Sequence, residues 1–304
     1  MRTCIVGAGS IGSLFAGHLA TVTDVVVLTR RAEHARALNE HGLRVSGRHD
    51  FTARVTAAAD PRHLSDFDLG IIATKANGVE AAAESLGGGF AGATMMTVQN
   101  GLGAEEIMRA HGDWPLVSGV TFMSGTKHSD SHVEYILDTP TWLGPYGDTP
   151  FERVQGIAQL LVDSGLKAEA LPDLLPAQWS KLIFNATVNG VAALTGLPHD
   201  EHFAAEGELG DLGHLVHELV EEGKRVAAGA GVELNDDPWE MNVLATKRGS
   251  AHYPSMLEDV DARRPTEVES INGALVREAM RCGVEAPLQT AVYRLVKARE
   301  ASYL

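Results

Sequence analysis

The sequence has few cysteines and fewer basic than acidic residues, and both shortages narrow the classes of protein that it fits. Its 304 residues include two cysteines, Cys4 and Cys282, near opposite ends of the chain and in neither a metal-binding nor a redox spacing. Such usage predicts a reducing compartment. Lysine and arginine total 25 against 40 acidic residues, and the net charge of −15 disfavours nucleic acid or an anionic membrane surface as a partner.

Long apolar runs are also missing. No stretch approaches the roughly 20 apolar residues that a membrane-spanning helix needs. The first residues, MRTCIVGAGS, lack the charged-then-apolar layout and the cleavage site of a signal peptide. We therefore expect a cytoplasmic protein with no membrane and no nucleic-acid partner. A hydrophobic content of 44% over 304 residues suits two globular domains of ordinary size.

The first half of the chain alternates strand-like and helix-like segments, which predicts a parallel doubly wound sheet of the Rossmann type. Near residue 170 the strand-like runs end and helical patterns take over. We therefore predict an α/β fold with a sheet domain over residues 1–170 and an all-α domain over residues 171–304. Strands are expected at 2–6, 25–30, 68–76, 94–101 and 116–125, a strand pair at 43–47 and 52–60, strands and turns at 126–147, and helices at 151–165, 177–195, 202–230, 238–247, 265–282 and 286–301.

The stretch GAGSIG fills positions 7–12, directly after the first predicted strand and directly before a helix-like run. This context favours a dinucleotide-binding loop over a glycine turn without a cofactor. Gly7 would permit the tight turn, Gly9 the close approach to the pyrophosphate, and Gly12 the packing of helix on strand. Amide groups at the helix start would bind the phosphates. The predicted cofactor-binding residues of this loop are Gly7, Ala8, Gly9, Ser10, Ile11 and Gly12.

The second predicted strand ends in LTRR, residues 28–31, where an NAD site usually has an acidic residue for the ribose 2′-hydroxyl. An arginine at that place fits a 2′-phosphate through paired hydrogen bonds. The segment therefore favours NADP(H) over NAD. We predict Arg30 at the phosphate. Arg31 suits the phosphate and the start of a solvated helix equally well, and Thr29 could add a donor.

Residues 178–190, QWSKLIFNATVNG, predict one buried helix with polar residues along one face. Lys181, Asn185 and Asn189 are four residues apart, so they line one face among neighbours that are nearly all apolar. A buried lysine is costly unless it is paired or used. This helix face is therefore a candidate wall of a catalytic cleft. The alternative is that Lys181 has no catalytic role and that its charged head reaches water.

Six motifs in order carry a resemblance to one family. They are GAGSIG (7–12), ATKA (73–76), VQNGLG (98–103), WSKLIFNATVN (179–189), SMLEDV (255–260) and RRPTEVESINGAL (263–275). Over nearly the whole chain they resemble the ketopantoate reductase (2-dehydropantoate 2-reductase) family. The resemblance implies a Rossmann domain, a helical domain and an active site in the cleft between them. It also implies that NADPH reduces a small-molecule 2-keto acid to an (R)-2-hydroxy acid, which for the namesake reaction is pantoate, on the route to pantothenate and coenzyme A.

The resemblance further implies a role for each matching residue. It makes Lys181 the general acid and Glu267 the glutamate near that lysine and the substrate hydroxyl. The remaining matches are positions that bind substrate or cofactor. Substrate binding is implied for Asn100, Asn185, Asn189 and Ser255, and cofactor binding for Arg30, Lys75, Asn100 and Glu267.

Glu267 has a second interpretation when the family is set aside. Thr266 and Glu269 form a T-x-x-E pattern typical of a capping box, and an acid suits the first turn of a helix. The resemblance favours a functional role for Glu267 but not for Glu269. Asn272 fits either a cleft or a helix face.

Two stretches depart from the family pattern. Members often have a histidine and a glycine-rich turn where this chain has SHVEYILDTPTWLG, residues 131–144, and often a proline where it has Gly190. The first departure bears on the identity of the substrate and not on the redox chemistry.

Other functions compete with ketopantoate reduction. One is the same chemistry on another branched 2-keto acid, as in a D-2-hydroxy acid dehydrogenase of this family. Another is a non-catalytic NADP-binding sensor, which would not need Lys181 and Glu267 together. A third is a different two-domain Rossmann enzyme, such as an opine dehydrogenase, and such enzymes lack the combination of QNG, WSKL and SMLEDV.

Two further properties follow from the helical half. The histidine pairs of HDEH (199–202) and HLVHE (214–218) lack an evident third ligand, so we predict solvated helix faces and no metal. The apolar stretches of the last helices fit either a partner subunit or their own core, and we expect a homodimer.

Overall fold

The chain divides into two structural units, and the second includes a short loop from the first half of the sequence. The computed structural model describes residues 1–87, 89–247 and 253–304. One unit comprises Met1–Gln99 and Ala104–Leu174, and the other comprises Asn100–Gly103 and Leu175–Leu304. The loop at 100–103 therefore belongs with the helical half, although the residues on either side of it belong to the sheet unit.

The first unit is a mixed α/β structure in which short β-branched and apolar runs form buried strands. Its helices are α1 (Ser10–Leu19), α2 (Ala32–His41), α3 (Val79–Leu86), α4 (Ala104–His111) and α5 (Phe151–Asp163). Its strands are β1 (Arg2–Val6), β2 (Asp24–Leu28), β3 (Leu43–Gly47), β4 (Phe51–Ala53), β5 (Thr56–Ala58), β6 (Leu69–Ile72), β7 (Thr94–Thr97), β8 (Leu116–Thr121), β9 (Ser124–Ser129), β10 (His132–Leu137), β11 (Thr141–Tyr146) and β12 (Ala168–Ala170).

The main sheet has eight strands in the order β12-β11-β8-β7-β6-β1-β2-β5. From β8 to β5 every neighbouring pair is parallel. Counted from the other edge, the six parallel strands lie in the order β5-β2-β1-β6-β7-β8. This is the strand order 3-2-1-4-5-6 of the doubly wound dinucleotide-binding fold. The chain direction of the crossovers reverses between β1 and β6, so the carboxyl ends of these two strands flank the place where such sheets bind ligands. The predicted Rossmann-type sheet is confirmed.

A second sheet of four strands, in the order β4-β3-β10-β9, corrects two expectations. The run at 52–60 is not one strand, because it is interrupted between β4 and β5. Its first part pairs antiparallel with β3, and its second part joins the main sheet beside β2. Of the strands expected at 126–147, only β11 lies antiparallel to the main sheet, against β8, whereas β9 and β10 belong to the small sheet.

The second unit is built from helices around one central helix. That helix, α6 (Leu175–Thr195), contacts each of the other five, which explains why most of its residues are buried. The others are α7 (Asp211–Gly229), α8 (Pro238–Thr246), α9 (Ser255–Asp261), α10 (Asn272–Cys282) and α11 (Pro287–Ala301). Within the residues that the structure describes, no helix is both long and apolar enough to cross a membrane.

Two predicted helices begin later than expected. The helix predicted at 202–230 begins at Asp211, after the N-cap Gly210. The helix predicted at 265–282 begins at Asn272, because the preceding residues form turns. Tertiary hydrogen bonds hold these turns, since the Glu300 carboxylate accepts from the Thr266 amide at 2.7 Å and from its hydroxyl at 3.1 Å. Local sequence favoured a helix, and the bonds to α11 override it.

His199 also differs from its prediction as part of a solvated helix face. Its side chain is buried, and its ring lies edge-on to Phe184 and Phe203, with centroids 6.0 and 5.3 Å away. Edge-to-face contacts between aromatic rings are favourable. His199 therefore belongs to the interior of the helical unit.

Candidate functional site

The glycine loop after β1 has the geometry that its sequence predicts. Gly7 has φ of +98°, which strongly favours glycine, and its amide donates to the Leu28 carbonyl at 2.9 Å. A side chain at Gly12 would overlap the Gly7 carbonyl oxygen. The loop therefore closes tightly between strand and helix only with glycine at both positions.

Gly9 leaves the space that a bound phosphate would need. It is the N-cap of α1, and a Cβ added to it would meet no atom within 4 Å. The first turn of α1 contains no acidic residue, so nothing there opposes the partial positive charge of the helix N-terminus. Of the other loop residues, Ala8 is buried, and Ser10 and Ile11 are half-buried. The open cradle and the free helix start together fit a dinucleotide pyrophosphate.

The residues after β2 differ in their availability. Arg30 is exposed and forms no ion pair with any residue in the described part of the chain. Arg31 donates both hydrogen bonds of one guanidinium nitrogen to the Asp130 carboxylate, at 2.6 and 2.7 Å. The Thr29 hydroxyl donates to the Arg31 carbonyl at 2.9 Å. Of the two arginines, Arg30, which the sequence predicts at the phosphate, is therefore the one available to an incoming anion.

The loop after β6 lies beside the glycine loop. A side chain at Gly7 would contact Thr74, and Lys75, the next residue, is exposed. Gln99, which the sequence analysis did not single out, donates to the Ile72 carbonyl at 2.7 Å and to the Thr74 carbonyl at 2.9 Å. It thereby fixes the segment before Lys75 at the ligand-binding edge of the sheet.

In the second unit, the polar face of α6 is buried, and its hydrogen bonds continue beyond the helix. Lys181, Asn185 and Asn189 are each less than 9% exposed. The Asn189 side-chain amide donates to the Asn185 oxygen at 3.4 Å, and that of Asn185 donates to the Asn100 oxygen at 3.4 Å. Asn100 in turn donates to the Glu267 carboxylate at 3.1 Å. Asn189, Asn185, Asn100 and Glu267 therefore form one connected chain of polar groups.

Ser255 closes the other end of this chain. The Asn189 side-chain oxygen accepts from the Ser255 hydroxyl at 3.4 Å and from the Met256 amide at 3.2 Å. Both donors lie at the start of α9, a helix that the sequence analysis did not predict. The structure thus brings together Asn100, Lys181, Asn185, Asn189, Ser255 and Glu267, all of them in the second unit. We refer to these six as the polar row.

Lys181 is the titratable centre of the polar row. Burial lowers the pKa of its ammonium to about 8, against an opposing contribution from the negative charge of Glu267. Glu267 is itself 8% exposed. A lysine with a pKa near neutrality can both donate and regain a proton under ordinary conditions, which an exposed lysine does poorly.

A loop with glycines at positive φ places Asn100 in the polar row. Gly101 has φ of +93°, and a side chain there would overlap the Ser270 carbonyl. That carbonyl accepts from the Leu102 amide at 3.0 Å. The loop at 100–103 therefore docks on the turn that follows Glu267, and this contact sets the hydrogen bond between Asn100 and Glu267.

Gly101→Ala is expected to destabilise the fold more than Gly103→Ala. Gly103 has a similar φ of +104°, but a Cβ added there meets no atom within 4 Å. Both variants should lose about 1 kcal/mol to backbone strain, and Gly101→Ala about 1–3 kcal/mol more for the overlap with Ser270. Urea unfolding of the two variants measures the difference. Equal losses would show that the loop does not need its contact with Ser270.

The residues around Glu267 bear on its second interpretation, a place in the first turn of a helix that Thr266 and Glu269 cap. The Thr266 hydroxyl accepts from the Val268 amide at 3.3 Å instead of capping residue 269, so the expected capping box is wrong. Glu269 lies on the surface with Lys297, at 3.1 Å, where water competes for it. Of these two glutamates, Glu267 is the one whose carboxylate accepts from Asn100. Asn272 is fully buried and donates to the Ala186 carbonyl at 2.7 Å, which ties α10 to α6.

Gly190, one of the two departures from the family pattern, has a packing reason. A Cβ at this position would contact Val292 on α11 at 2.5 Å and Asn272 at 3.1 Å. Glycine thus allows α11 to pack closely on α6 directly after Asn189. Any larger residue would have to displace these neighbours.

Comparisons with known proteins agree with this geometry. Sequence profiles of the family described as "Ketopantoate reductase PanE/ApbA" match residues 3–148, and those of its C-terminal part match residues 173–300. A 2-dehydropantoate 2-reductase of Halobacterium salinarum is 31% identical over 303 residues, covering 98% of each chain. One of Pyrococcus horikoshii is 29% identical over 304 residues, covering 99% of this chain and 98% of its own.

A solved structure shows the same relationship. D-mandelate dehydrogenase with NADH and anilino(oxo)acetate matches with a TM-score of 0.90 at 25% identity, covering 100% of this chain and 99% of its own. The family profiles, the full-length relatives and the Rossmann-type sheet agree with one another. The chain therefore belongs to the ketopantoate reductase family of nicotinamide-dependent oxidoreductases.

Proposed function

We propose that this protein reduces 2-dehydropantoate to (R)-pantoate with NADPH, the reductive step towards pantothenate and coenzyme A. The observation that carries the proposal is the polar row, in which a buried lysine with a lowered pKa adjoins a run of amides and a carboxylate. The relatives named 2-dehydropantoate 2-reductase, which cover almost the full chain, support the choice of substrate.

The cofactor is assigned to the first unit. The glycine loop at residues 7–12 and the start of α1 bind the pyrophosphate, and Arg30 binds the 2′-phosphate through its exposed guanidinium. Lys75, at the same edge of the sheet, adds a positive charge for the phosphates. When bound, the reduced nicotinamide supplies a hydride to the C2 carbon of the substrate.

The substrate is assigned to the second unit. Asn185, Asn189 and Ser255 present amide and hydroxyl groups that can exchange their mutual hydrogen bonds for bonds to the oxygens of a 2-keto acid. The two bonds that join them are long, at 3.4 Å, so little is lost in the exchange. The three are neutral, so they orient the acid without adding charge beside Lys181.

Lys181 is the proton donor in this proposal. As hydride reaches C2, negative charge develops on the carbonyl oxygen, and the ammonium both stabilises that charge and transfers a proton to it. The carbonyl becomes a hydroxyl, and the neutral amine regains its proton from water. The lowered pKa brings the ammonium close to the acidity at which such transfer is efficient.

Glu267 and Asn100 orient the donor and the substrate. The Glu267 charge opposes the loss of the Lys181 proton, which favours the charged, proton-donating form of the lysine. Asn100 ties this carboxylate down at 3.1 Å, which prevents it from turning away from the lysine. Because residue 100 follows the sheet segment ending at Gln99, we assign Asn100 and Glu267 contact with the nicotinamide as well.

A second substrate class has its own support. The D-mandelate dehydrogenase structure at a TM-score of 0.90 was solved with NADH and anilino(oxo)acetate, which, like a 2-keto acid, has a carbonyl group next to its carboxylate. The same proton donor would serve any 2-keto acid, because only the group beyond C2 differs. Reduction of another branched 2-keto acid, as by a D-2-hydroxy acid dehydrogenase, is therefore the alternative.

A turnover assay tests both. We expect purified protein to oxidise NADPH rapidly with 2-dehydropantoate, and at least about tenfold more slowly with other branched 2-keto acids or with NADH, a margin that one or two well-placed polar contacts supply. Faster turnover with another 2-keto acid would transfer the proposal to the alternative substrate. Tight binding of NADPH without turnover of any 2-keto acid would refute the proposed reductase activity and favour a non-catalytic NADP-binding sensor.

A further inference from the structure

A cluster of charged side chains connects the two parts of the expected cofactor site in the first unit. Lys127, on β9, donates to the Ala8 carbonyl of the glycine loop at 3.1 Å. Its ammonium also lies 3.1 Å from the Asp130 carboxylate, and the same carboxylate accepts from Arg31. Asp130, in the turn between β9 and β10, thus neutralises two cations beside the loops that follow β1 and β2.

We infer that Asp130 limits the preference for NADPH over NADH by withholding Arg31 from the 2′-phosphate. The inference rests on the proposed function, in which Arg30 binds that phosphate. Arg31 is the next residue in the chain and is 58% exposed, but its guanidinium is engaged by Asp130 instead of being available for a second bond to the phosphate. Asp130 is itself 26% exposed and can therefore interact with a ligand bound beside the loops that follow β1 and β2.

The surroundings of Asp130 keep it charged. Its burial raises its pKa, but hydrogen bonds from Lys127 and Arg31 outweigh this, and the pKa falls below its ordinary value. His34 faces the same carboxylate at 3.8 Å, and burial together with the charge of Lys127 lowers the pKa of this histidine. His34 is therefore neutral near pH 7, and the charges that face Asp130 there are those of Lys127 and Arg31.

The carboxylate could instead take over the role of the missing acid at the end of β2. In an NAD site that acid accepts a hydrogen bond from the ribose 2′-hydroxyl. The two roles have opposite consequences for NADH. A carboxylate that withholds Arg31 does not affect NADH, whereas a carboxylate that accepts from the ribose strengthens the binding of NADH.

The inference is tested by equilibrium binding of NADPH, NADH, adenosine 2′,5′-bisphosphate and 5′-AMP to wild-type protein and Asp130→Asn. We expect the variant to bind the two 2′-phosphorylated ligands about tenfold more tightly, the value of one added charged hydrogen bond, and the other two within about twofold of wild type. Arg31→Ala should cost more affinity for NADPH in the Asp130→Asn background than in the wild type. Asp50→Asn, which removes one exposed carboxylate elsewhere in the unit, controls for net charge.

The outcomes separate this inference from the proposed function. Weaker binding of NADH by Asp130→Asn would overturn the inference in favour of a bond to the ribose. Unchanged affinities, or a gain equal to that of Asp50→Asn, would also overturn it while leaving the cofactor assignment intact. Failure of the wild type to bind either dinucleotide would overturn the proposed function, and the inference with it.

Discussion

Lys181→Met is expected to lower kcat for 2-keto acid reduction by about 10²–10⁴, the usual contribution of a positioned general acid. Methionine fills a similar volume in the buried helix but has neither proton nor charge. NADPH binding should change little, because the residues assigned to its pyrophosphate and 2′-phosphate belong to the other unit of the chain and Lys181 is assigned no contact with the cofactor. Stopped-flow or steady-state oxidation of NADPH measures the loss.

The pH dependence gives an independent readout of the same residue. Because the pKa of Lys181 is about 8, the ammonium required for reduction is present below pH 8 and is lost above it. We expect kcat/KM for reduction to fall about tenfold per pH unit above that value. Oxidation of the 2-hydroxy acid needs the neutral amine and should rise through the same pH.

Glu267→Gln should move this transition in a known direction. The Glu267 charge raises the pKa of Lys181, so its removal lets burial lower the pKa further, and the decline in reduction begins at a lower pH. Lys224→Met serves as the control lysine, since Lys224 forms surface ion pairs with Glu221 and Asp237. Two results would each show that another group supplies the proton. One is turnover by Lys181→Met within tenfold of the wild type. The other is a fall of kcat/KM that begins at the same pH in Glu267→Gln as in the wild type.

Much of the polar row could be predicted from local sequence. A spacing of four residues on an apolar helix puts Lys181, Asn185 and Asn189 on one face whatever surrounds the helix. Likewise, glycines at fixed offsets between a strand and a helix impose one loop geometry, and Gly7 and Gly12 adopt it. These features depend on the backbone within one or two turns, and the periodicity of the sequence contains that information.

The rest depends on contacts between residues far apart in the chain. Asn100 meets Glu267 across 167 residues, and Arg31 meets Asp130 across 99. The turn that carries Glu267 exists because Glu300, 34 residues beyond Thr266, replaces the helical hydrogen bonds that the local sequence favours. No local pattern specifies such pairs, which is why the helix start at 272 and the pairing of Arg31 were not predicted.

Gly9→Ala is expected to separate cofactor binding from folding. The native φ of −73° and ψ of −168° suit alanine, and the added Cβ meets no atom within 4 Å. The fold should therefore lose no more than about 1 kcal/mol, chiefly because alanine is a poorer N-cap than glycine. The affinity for NADPH should fall about 100-fold or more, since the methyl group occupies the space needed by the pyrophosphate and lengthens its hydrogen bonds to the amides of α1.

Gly156→Ala is the matched control for this experiment. Gly156 lies within α5, and a Cβ added to it also meets no atom within 4 Å. Its replacement should raise stability by up to about 1 kcal/mol through helix propensity and leave NADPH affinity unchanged. Isothermal titration with NADPH, paired with thermal unfolding, distinguishes the two positions. If Gly9→Ala bound NADPH within threefold of the Gly156→Ala protein, the open space beside Gly9 would not be the phosphate site, because a methyl group and a phosphate oxygen cannot share it.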